Sequence, residues 1–512
     1  MFENIFLKKR IPFFVFLFVY ILFCLVTFRQ YGLVGDEMSC YNGGAVMLKY
    51  YKGHNLEAVT TDLDLVTHNY PFAAVLLKLS FSEGVNLERL HLLNLLFASI
   101  IFWLMYELLY FSFQDERWAL IGPIALFLTP RFLGDIAQNP KDIPFAIFYF
   151  LSLSAVFLKD KIFSGRFWKI IGLGILFGFT ISNRIVALNL FPLYFLFRLY
   201  EGVTEKEWGD GLFGKWFLKE FLDVIAIIIV SQIALIALWP YIGADYFRHF
   251  FKTIADSKKY NWDDWILFGG KLIRPSFFPW NYLLGWMTII TPLFLLFYFI
   301  YAIFRWNVLW RKKAYFLMIL AFGFNLILYF VLKPNIFNGI RHYLFLIPIL
   351  VLTACFGIID FYTYFKGRLI RWIFALIILS NVSLVVIQLT RLFPYDYLYF
   401  NELVGGIQGA NGKYEMDYWD KSVKEAALWL KENEIKDPQK DYKIKLTGET
   451  SLAAHYFSEN MYGYTDIKDQ DANFCFIVNS ARGYILPSSG KIIHVVEREG
   501  VPLTFVLQMR NQ

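Results

Sequence analysis

The feature that most constrains this chain is a succession of long apolar stretches separated by short polar ones. A helix needs about 20 mostly apolar residues to cross a bilayer. The chain has 512 residues, of which 57% are hydrophobic and 20% aromatic, more than a single soluble core of this length would require. Eleven stretches qualify as membrane spans, near residues 11–29, 91–113, 119–134, 143–158, 170–182, 185–200, 221–240, 281–304, 314–332, 342–360 and 372–390. The sequence therefore predicts an all-α polytopic membrane protein.

The fifth and sixth stretches are short and adjoin each other. Only Asn183 and Arg184 separate them. Because lipid-exposed loop backbone is costly at membrane depth, we expect these two spans to form a tight helical hairpin that neighbouring helices shield.

Basic residues predict the orientation of the bundle. Lys8, Lys9 and Arg10 precede the first span, which places the N-terminus in the cytoplasm. Alternating the spans from there puts every other clear basic cluster on the same side, near residues 159–169, 198–219, 305–313 and 366–371. The opposite, outer side receives the loops 30–90, 135–142, 241–280 and 333–341, the turn at Arg184 and the tail after Thr390.

The tail changes character after the last span. Apolar residues alternate in short runs that read as strands, at Tyr442 to Leu446, Phe474 to Val478 and Ile492 to Val496. Ser422 to Leu430 carries apolar residues at helical spacing. We therefore predict a membrane domain over residues 1–390 and a small α/β domain outside the membrane over residues 391–512.

Charge and cysteine content exclude some classes of function. The formal net charge is +7, but the basic residues are dispersed in short loops, so nucleic acid is not expected as a partner. No short-spaced cysteine pair indicates a metal site or a disulfide framework, although a bridge from Cys40 to Cys475 across the outer face is an alternative. The four cysteines are Cys24, Cys40, Cys355 and Cys475.

Two adjacent carboxylates, Asp36 and Glu37, follow the first span on the outer side. Carboxylates at a membrane exit carry a solvation cost unless they face water or a partner. We interpret the pair as a candidate catalytic site, and a hydrated loop turn is the alternative. Further ionisable groups lie at outer span ends, among them Arg184 and Arg341, for which snorkelling of the side chain to the interface is the alternative.

A second polar group lies in the outer turn between the third and fourth spans. This turn offers carboxylates, an amide and an ammonium, a mixture that suits a phosphate or sugar site. The alternative is helix capping, since Asp142 precedes Ile143 and Pro144 and fits an N-cap; Asp142 could serve both purposes. The candidate residues are Asp135, Asn139, Lys141 and Asp142.

These motifs resemble those of a known family, the polyprenyl-phosphate-sugar-dependent membrane glycosyltransferases of the GT-C superfamily, in the protein O-mannosyltransferase and aminoarabinose-transferase group (glycosyltransferase family 39). The resemblance covers most of the chain. It implies a GT-C fold of about 11 transmembrane helices, with amphipathic helices in the long first outer loop, and a bacterial inner-membrane protein whose active site faces the periplasm. It rests on Gly35-Asp36-Glu37, on Asn139-Pro140-Lys141-Asp142, on Gly339-Ile340-Arg341-His342-Tyr343 and on the tail segment from Pro394 to Trp419.

One departure from the family concerns the end of the first outer loop. Many relatives carry a Lys-Pro-Pro or His-Pro-Pro triplet there, where this chain has His68-Asn69-Tyr70-Pro71. The lipid-phosphate contact of that triplet therefore does not carry over directly. We count His68 and Tyr70 with the residues that bind the acceptor or the sugar.

The resemblance implies an inverting transfer of a single hexosyl or pentosyl group from a polyprenyl phosphate to an acceptor hydroxyl of a protein, lipid or glycan. Asp36 would be the general base, Glu37 would support it, and Asp142 would orient the acceptor. Arg341, Lys141 and Arg184 would bind the phosphate. A divalent metal at Asp36 and Asp142 is compatible with the sequence but not required by it. The acceptor- or sugar-binding group comprises Asn139, Asp135, His342 and Tyr343, together with His68 and Tyr70.

Two other functions fit a polar cavity in a helical bundle. A transporter or flippase of a lipid-linked sugar would expose polar groups to both faces, whereas the candidates here gather on one face. An oligosaccharyltransferase or ligase that uses a diphosphate-linked donor would need its own tail motif. For the glycosyltransferase interpretation, the expected partners are a polyprenyl-phosphate sugar, an acceptor on the outer, periplasmic side and membrane lipid.

Overall fold

The computed structural model describes most of the chain. The described residues are 9–54, 71–80, 85–207, 213–256, 264–274, 279–437, 440–446, 453, 455–457, 461–464, 468, 471–488 and 490–509. His68 and Tyr70 lie outside them, so their predicted roles are not addressed by the structure.

Helices dominate the first 392 residues. The first seven are α1 (Ile11–Thr27), α2 (Gly35–Tyr51), α3 (Pro71–Leu79), α4 (Leu87–Phe97), α5 (Ser99–Phe113), α6 (Glu116–Phe127) and α7 (Pro130–Ile136). The next seven are α8 (Asp142–Ile162), α9 (Gly165–Asn183), α10 (Leu190–Glu205), α11 (Phe213–Leu238), α12 (Pro240–Ala244), α13 (Tyr246–Asp256) and α14 (Tyr282–Ile290). The remainder are α15 (Leu293–Phe304), α16 (Trp306–Leu309), α17 (Lys313–Leu332), α18 (Leu346–Tyr364), α19 (Arg368–Leu392), α20 (Gly406–Ala410) and α21 (Val423–Asn433).

The membrane spans agree with the sequence prediction. Among the described residues, 8 helical stretches are long and apolar enough to cross a membrane, and the bent pair α6 and α7 makes up to 9. The shorter apolar helices α1 and α15 coincide with the first and eighth predicted spans. Each of the eleven predicted stretches therefore corresponds to a straight or broken helix.

Two details of the predicted spans were wrong. The fifth and sixth are not short, because α9 and the continuous stretch Ile185–Glu205 have 19 and 21 residues. The inner turns of both helices carry charged residues, so apolar length alone underestimates how far the helices extend. The break at Arg184 is confirmed, since α9 ends at Asn183 and helical structure resumes at Ile185, but α9 packs mainly against α8 and α11 and not against the helix that follows it. The third span is not continuous, since it bends by 71° between α6 and α7, where Pro130 begins a new helix and restricts the residue before it.

Burial distinguishes the centre of the bundle from its rim. In the most apolar 18 residues of α8 and of α18, 83% of the residues are buried inside the protein, against 6% in α19. The apolar side chains of α19 therefore face outward, where a membrane helix meets lipid, while α8 and α18 form the middle of the bundle. Both central helices begin at the outer end, beside the candidate residues.

The first outer segment folds back onto the bundle through α2 and α3. These two helices pack closely, since a Cβ atom at Gly44 would lie 2.8 Å from the backbone of Ala73. Glycine therefore lets the backbones approach. This packing holds the start of α2, which carries the two adjacent carboxylates, against α4 and the rest of the bundle.

The tail forms the expected small α/β domain. A hairpin of β1 (Ile266–Phe268) and β2 (Lys271–Ile273) precedes it, and its strands are β3 (Tyr442–Leu446), β4 (Met461–Tyr464), β5 (Phe474–Val478), β6 (Lys491–Arg498) and β7 (Val501–Gln508). The sheet order is β4-β3-β5-β7-β6. β3 runs parallel to β4 and β5, whereas β7 is antiparallel to β5 and β6.

The three predicted strands are confirmed, as is the helix α21, while β4 and β7 were missed. β7 lies between two strands and is buried along nearly its whole length, so it shows no polar face of the kind that marks a half-buried strand. The last membrane helix ends at Leu392, two residues past the predicted domain boundary. Residues 394–422, here called the connecting segment, then pack on α7 and α14 before the sheet begins.

Candidate active site

The candidate active site is built around an ion pair between Asp36 and Arg341. Asp36 lies in the first turn of α2, which begins after the extended residue Val34. Arg341 begins a short 3₁₀ turn between α17 and α18. The Nη1 atom of Arg341 donates a hydrogen bond to Oδ2 of Asp36 at 2.7 Å. Such charge-assisted bonds are the strong ones, and here one joins segments 305 residues apart.

The environment of Asp36 keeps its carboxyl group ionised. Burial alone would raise the pKa of Asp36, but the positive charges of Arg341 and Lys141 outweigh burial and hold the pKa well below its usual range. The side chain stays partly open to solvent, with 31% of its surface exposed. Asp36 is therefore a carboxylate that other molecules can reach.

The second polar group is organised by Asn139. Its Oδ1 atom accepts hydrogen bonds from the backbone N–H groups of Lys141 at 3.2 Å and Asp142 at 2.7 Å. Its Nδ2 atom donates to Oδ2 of Asp142 at 3.1 Å. The capping function assigned to Asp142 therefore belongs largely to Asn139, which leaves the Asp142 carboxylate free to accept a hydrogen bond from Arg184.

The two groups form one site, which we call the outer cluster. The charge of Asp142 acts on Arg341, which links the second polar group to the ion pair between Asp36 and Arg341. Burial lowers the pKa of His342, and the charges of Arg341 and Arg184 lower it further, so His342 is neutral. The outer cluster comprises Asp36, Lys141, Asp142, Arg184, Arg341 and His342.

Both arginines of the outer cluster keep donor capacity. The Nε atoms of Arg184 and Arg341 are buried, and neither has a hydrogen-bond partner among the described residues. A buried donor without a partner costs free energy. The cluster thus has a cationic side with unfilled donors at both arginine Nε atoms, and a carboxylate side at Asp36.

Glu37 points away from Asp36 into the interior. It is fully buried, and its Oε1 atom lies 2.8 Å from Nε2 of His91. Its Oε2 atom accepts a hydrogen bond from the backbone N–H of Val34 at 3.3 Å. Glu37 therefore ties the start of α2 to α4. His91 was not identified from the sequence, although an ionisable residue at the edge of an apolar span is a signal for such a site.

Two predicted site residues lie apart from the outer cluster. Asp135 is buried and forms an ion pair with Lys421 of the connecting segment at 3.0 Å. Tyr343 is buried between the rings of Tyr329 and Phe345, with centroids 5.7 and 5.8 Å away. The expectation that these two bind acceptor or sugar is not supported by this geometry, because both side chains are enclosed by protein.

The proposed metal ligands do not suit a divalent cation. Mg²⁺ prefers carboxylate and water oxygens, but Asp36 and Asp142 are each bound by a guanidinium group. Within the described part of the chain, no group of three or more histidine, cysteine, aspartate or glutamate side chains is placed to hold a metal ion.

The four cysteines form no disulfide. Cys24, Cys40, Cys355 and Cys475 are all buried and free. The alternative of a bridge between Cys40 and Cys475 was wrong, because each thiol is enclosed in a separate part of the protein. Burial raises the pKa of the Cys40 thiol to about 12, so this neighbour of the outer cluster is not a nucleophile.

Comparison with known proteins gives the class of the fold. Neither a family model nor a curated protein sequence matches the chain. Solved structures do, and they show that the chain has the GT-C fold that the sequence motifs predicted.

Two of the matched structures are those of ArnT from Cupriavidus metallidurans. The structure of ArnT bound to undecaprenyl phosphate is 12% identical, covers 96% of this chain and 98% of that chain, and has a TM-score of 0.53. The apo structure is 11% identical, covers 97% and 98%, and has a TM-score of 0.50. The likeness extends over the membrane bundle and the tail, so both parts belong to one architecture.

Proposed function

We propose that this protein is an inverting glycosyltransferase that moves a single sugar from a polyprenyl-phosphate donor to an acceptor hydroxyl. The observation that carries the proposal is the outer cluster, in which the ionised Asp36 lies 2.7 Å from Arg341. A base and a phosphate-binding cation are thus adjacent at one end of a GT-C bundle. The matched ArnT structure is bound to undecaprenyl phosphate, which supports a donor of this class.

The chemistry assigns one role to each side of the cluster. An acceptor hydroxyl attacks the anomeric carbon, the bond between that carbon and the phosphate oxygen breaks, and the sugar is transferred with inversion. The hydroxyl proton passes to Asp36, and polyprenyl phosphate leaves with the electron pair. General-base catalysis of this kind contributes about a hundred- to ten-thousand-fold.

Arg341 couples the binding of the donor to the availability of Asp36 as a proton acceptor. Its guanidinium group is bound to Asp36 when no donor is present, so a phosphate must share or displace that contact. The phosphate would receive bidentate hydrogen bonds from Arg341, with Lys141 and Arg184 adding positive charge. Asp36 would then be released to accept a proton, and Asp142, fixed by Asn139, would orient the acceptor.

The position of the cluster favours an enzyme over a transporter. The predicted outer loops meet at the end that carries Asp36 and Arg341. Charged residues of the predicted inner loops meet at the other end, where they pair with one another, as Lys159 does with Glu201 at 2.6 Å. A transporter needs a polar site that opens to both faces, whereas the outer cluster lies at one end of the bundle.

The same arrangement supports the proposed location. With a cytoplasmic N-terminus, the paired basic end faces the cytoplasm and the outer cluster faces the periplasm of a bacterial inner membrane. The donor lipid would enter from the bilayer, and the acceptor would come from the periplasmic side.

The test is transfer by the purified protein in lipid nanodiscs. Donors would be polyprenyl phosphates carrying hexoses or pentoses, and acceptors would be identified from the glycans that disappear on deletion of the gene. We expect wild-type protein to form a glycoside and release polyprenyl phosphate. Asp36→Asn should bind the donor and lose transfer by about a hundred- to ten-thousand-fold.

The matched control is Asp115→Asn, which changes the same functional groups at a partly exposed N-cap remote from the outer cluster. It should turn over like wild type. Wild-type turnover in Asp36→Asn would exclude Asp36 as the base. Movement of the donor across the membrane without glycoside formation would instead favour a flippase, and transfer from a diphosphate-linked donor alone would favour an oligosaccharyltransferase.

A further inference from the structure

We infer that Glu415 and Trp419 are positioning residues for Arg341, so that the connecting segment of the C-terminal part completes the phosphate-binding side of the donor site. The inference rests on the proposed function and goes beyond it, because neither residue touches the reacting groups. Both lie more than 70 residues after Arg341 in the sequence. Their contacts with the loop that carries Arg341 are the basis of the assignment.

The side chain of Glu415 binds the backbone of the loop that carries Arg341. It is fully buried, and its Oε2 atom accepts a hydrogen bond from the N–H of Gly339 at 2.9 Å. The same oxygen accepts the hydroxyl of Tyr282 at 3.1 Å. One carboxylate therefore connects α14 of the bundle, the connecting segment and the residue two positions before Arg341.

The backbone conformation at Gly339 disfavours any other residue at this position. Gly339 has a φ of +62°, and a Cβ atom there would lie 2.8 Å from Nη2 of Arg131. Asn338, with a φ of +57°, is also left-handed. A loop that adopts two consecutive left-handed residues needs fixed partners, and the hydrogen bond to Glu415 supplies one at the turn that sets the direction of Arg341.

Trp419 holds the guanidinium group itself. The Cζ atom of Arg341 lies 5.1 Å from the centroid of the Trp419 ring and 4.9 Å from that of Phe337. Cation–π contacts of this kind strengthen where water is excluded, and Trp419 is buried. The two rings thus restrict the guanidinium to an orientation that serves Asp36 and leaves Nε for another acceptor.

The connecting segment is rigidly attached at this place. Arg131 donates a hydrogen bond to the hydroxyl of Tyr418 at 3.0 Å, and Lys421 donates to Asp135 at 3.0 Å. Both anchors are buried ion or hydrogen-bond pairs between α7 and the segment. Glu415 and Trp419 are therefore held on the membrane bundle, as a positioning role requires.

The experiment measures the affinity of the full-length protein for undecaprenyl phosphate in nanodiscs. Glu415→Ala and Trp419→Leu should each raise the Kd about tenfold, because Arg341 loses a fixed orientation. Glu415→Gln and Trp419→Phe keep the acceptor oxygen and the ring, so each should stay within about threefold of wild type. The matched control Glu425→Ala removes a carboxylate that pairs with Arg498 elsewhere in the tail and should leave the Kd unchanged.

A double-mutant cycle separates positioning from general loss of structure. Arg341→Lys keeps the charge on a flexible stem, so the added effect of Glu415→Ala in that background should fall below about twofold. An equal effect in both backgrounds would overturn the inference, as would an equal loss in Glu425→Ala. If Glu415→Ala does not fold, the comparison of Trp419→Leu with Trp419→Phe decides, and equal affinities there would overturn the role of the ring.

The outcome also distinguishes the inference from the function on which it rests. Wild-type protein that binds no undecaprenyl phosphate would refute the donor class and, with it, the positioning role. Wild-type protein that binds the lipid, with Arg341→Lys weakened but no coupling to Glu415 or Trp419, would refute the positioning role alone.

Discussion

The two ends of the bundle both carry charged side chains, but they use them differently. At the inner end, Arg198 donates to Glu201 and Glu207 at 2.6 Å each and to Glu220 at 2.9 Å. Arg10 donates twice to Glu107, at 2.6 and 2.8 Å. At the outer end, Arg341 has one carboxylate contact, to Asp36, and a buried Nε atom without a partner in the described chain.

This difference separates structural charge from charge that is available to a ligand. A buried charge is tolerated when its hydrogen-bonding capacity is filled, and breaking such a network is costly. A charge with unfilled capacity lowers its free energy when a ligand supplies the missing acceptors. We therefore assign the inner network to stability and the outer cluster to binding and chemistry.

The largest expected effect is an opposite response to the loss of one arginine at each end. Arg341→Ala should lower transfer about a thousandfold, since both phosphate binding and the orientation of Asp36 depend on it, and should lower the melting temperature less than Arg198→Ala does, because the Asp36 side chain stays partly exposed to solvent. Arg198→Ala should remove the guanidinium that Glu201 and Glu220 share, which leaves each with lysine partners, at a cost of about 3 kcal/mol. Transfer assays and thermal unfolding of both variants in the same detergent measure the contrast.

Similar changes in rate and melting temperature in Arg341→Ala and Arg198→Ala would contradict this division of roles. Arg198→Ala protein that remains folded at the assay temperature should turn over at the wild-type rate. A large rate loss in folded Arg198→Ala, or a large drop in melting temperature in Arg341→Ala, would show that the two ends do not have separate functions.

The next effect concerns the loop that delivers Arg341. Gly339→Ala places a methyl group against Arg131 and strains a left-handed backbone, which we expect to displace Arg341 and lower kcat about tenfold to a hundredfold. Gly165→Ala is the control at the inner end, because Gly165 also has a positive φ, of +86°, but no atom within 4 Å of an added Cβ. Equal rate losses in the two variants would contradict the account.

The smallest effect is a difference in pH dependence. Burial raises the pKa of Glu415 to about 7, against the opposing hydrogen bonds from Gly339 and Tyr282. At the inner end, burial of Glu207 is outweighed by hydrogen bonds from Arg198 and Trp216, and its pKa is lowered.

The signs of these two shifts are opposite. Folded Glu415 binds its proton more tightly than the unfolded chain, so its contribution to stability falls as the pH rises from about 4.5 to about 7. Glu207 contributes above its unfolded pKa and loses that contribution as the pH falls. Glu415→Gln should therefore raise the melting temperature relative to wild type more at pH 8 than at pH 5. Glu207→Gln should lower it more at pH 5 than at pH 3. A constant difference between the two pH values in either variant would contradict the assignment for that residue.

The sequence predicted the parts of this molecule that depend on local pattern. Apolar length identified the spans, and alternation identified β3, β5 and β6. The family motifs brought Asp36, Asn139 and Arg341 forward as site residues, and the structure places Asp36 and Arg341 in contact.

The parts that escaped prediction depend on contacts between distant residues. His91 lies 54 positions from Glu37, and Glu415 lies 76 positions from Gly339, and no local pattern indicates such partners. Asp135 illustrates the converse. Its position in a polar turn suggested a ligand contact, but Lys421, 286 residues away, binds it in the interior.

The central claim is that the outer cluster, rather than the paired network at the inner end, binds the lipid phosphate. The most direct measurement is an experimental structure of the protein with undecaprenyl phosphate in nanodiscs. We expect a phosphate within hydrogen-bonding distance of Arg341. We also expect the Asp36 carboxylate to have moved away from Arg341 and to face the site where the acceptor binds. A phosphate bound elsewhere, with the pair between Asp36 and Arg341 unchanged, would contradict it.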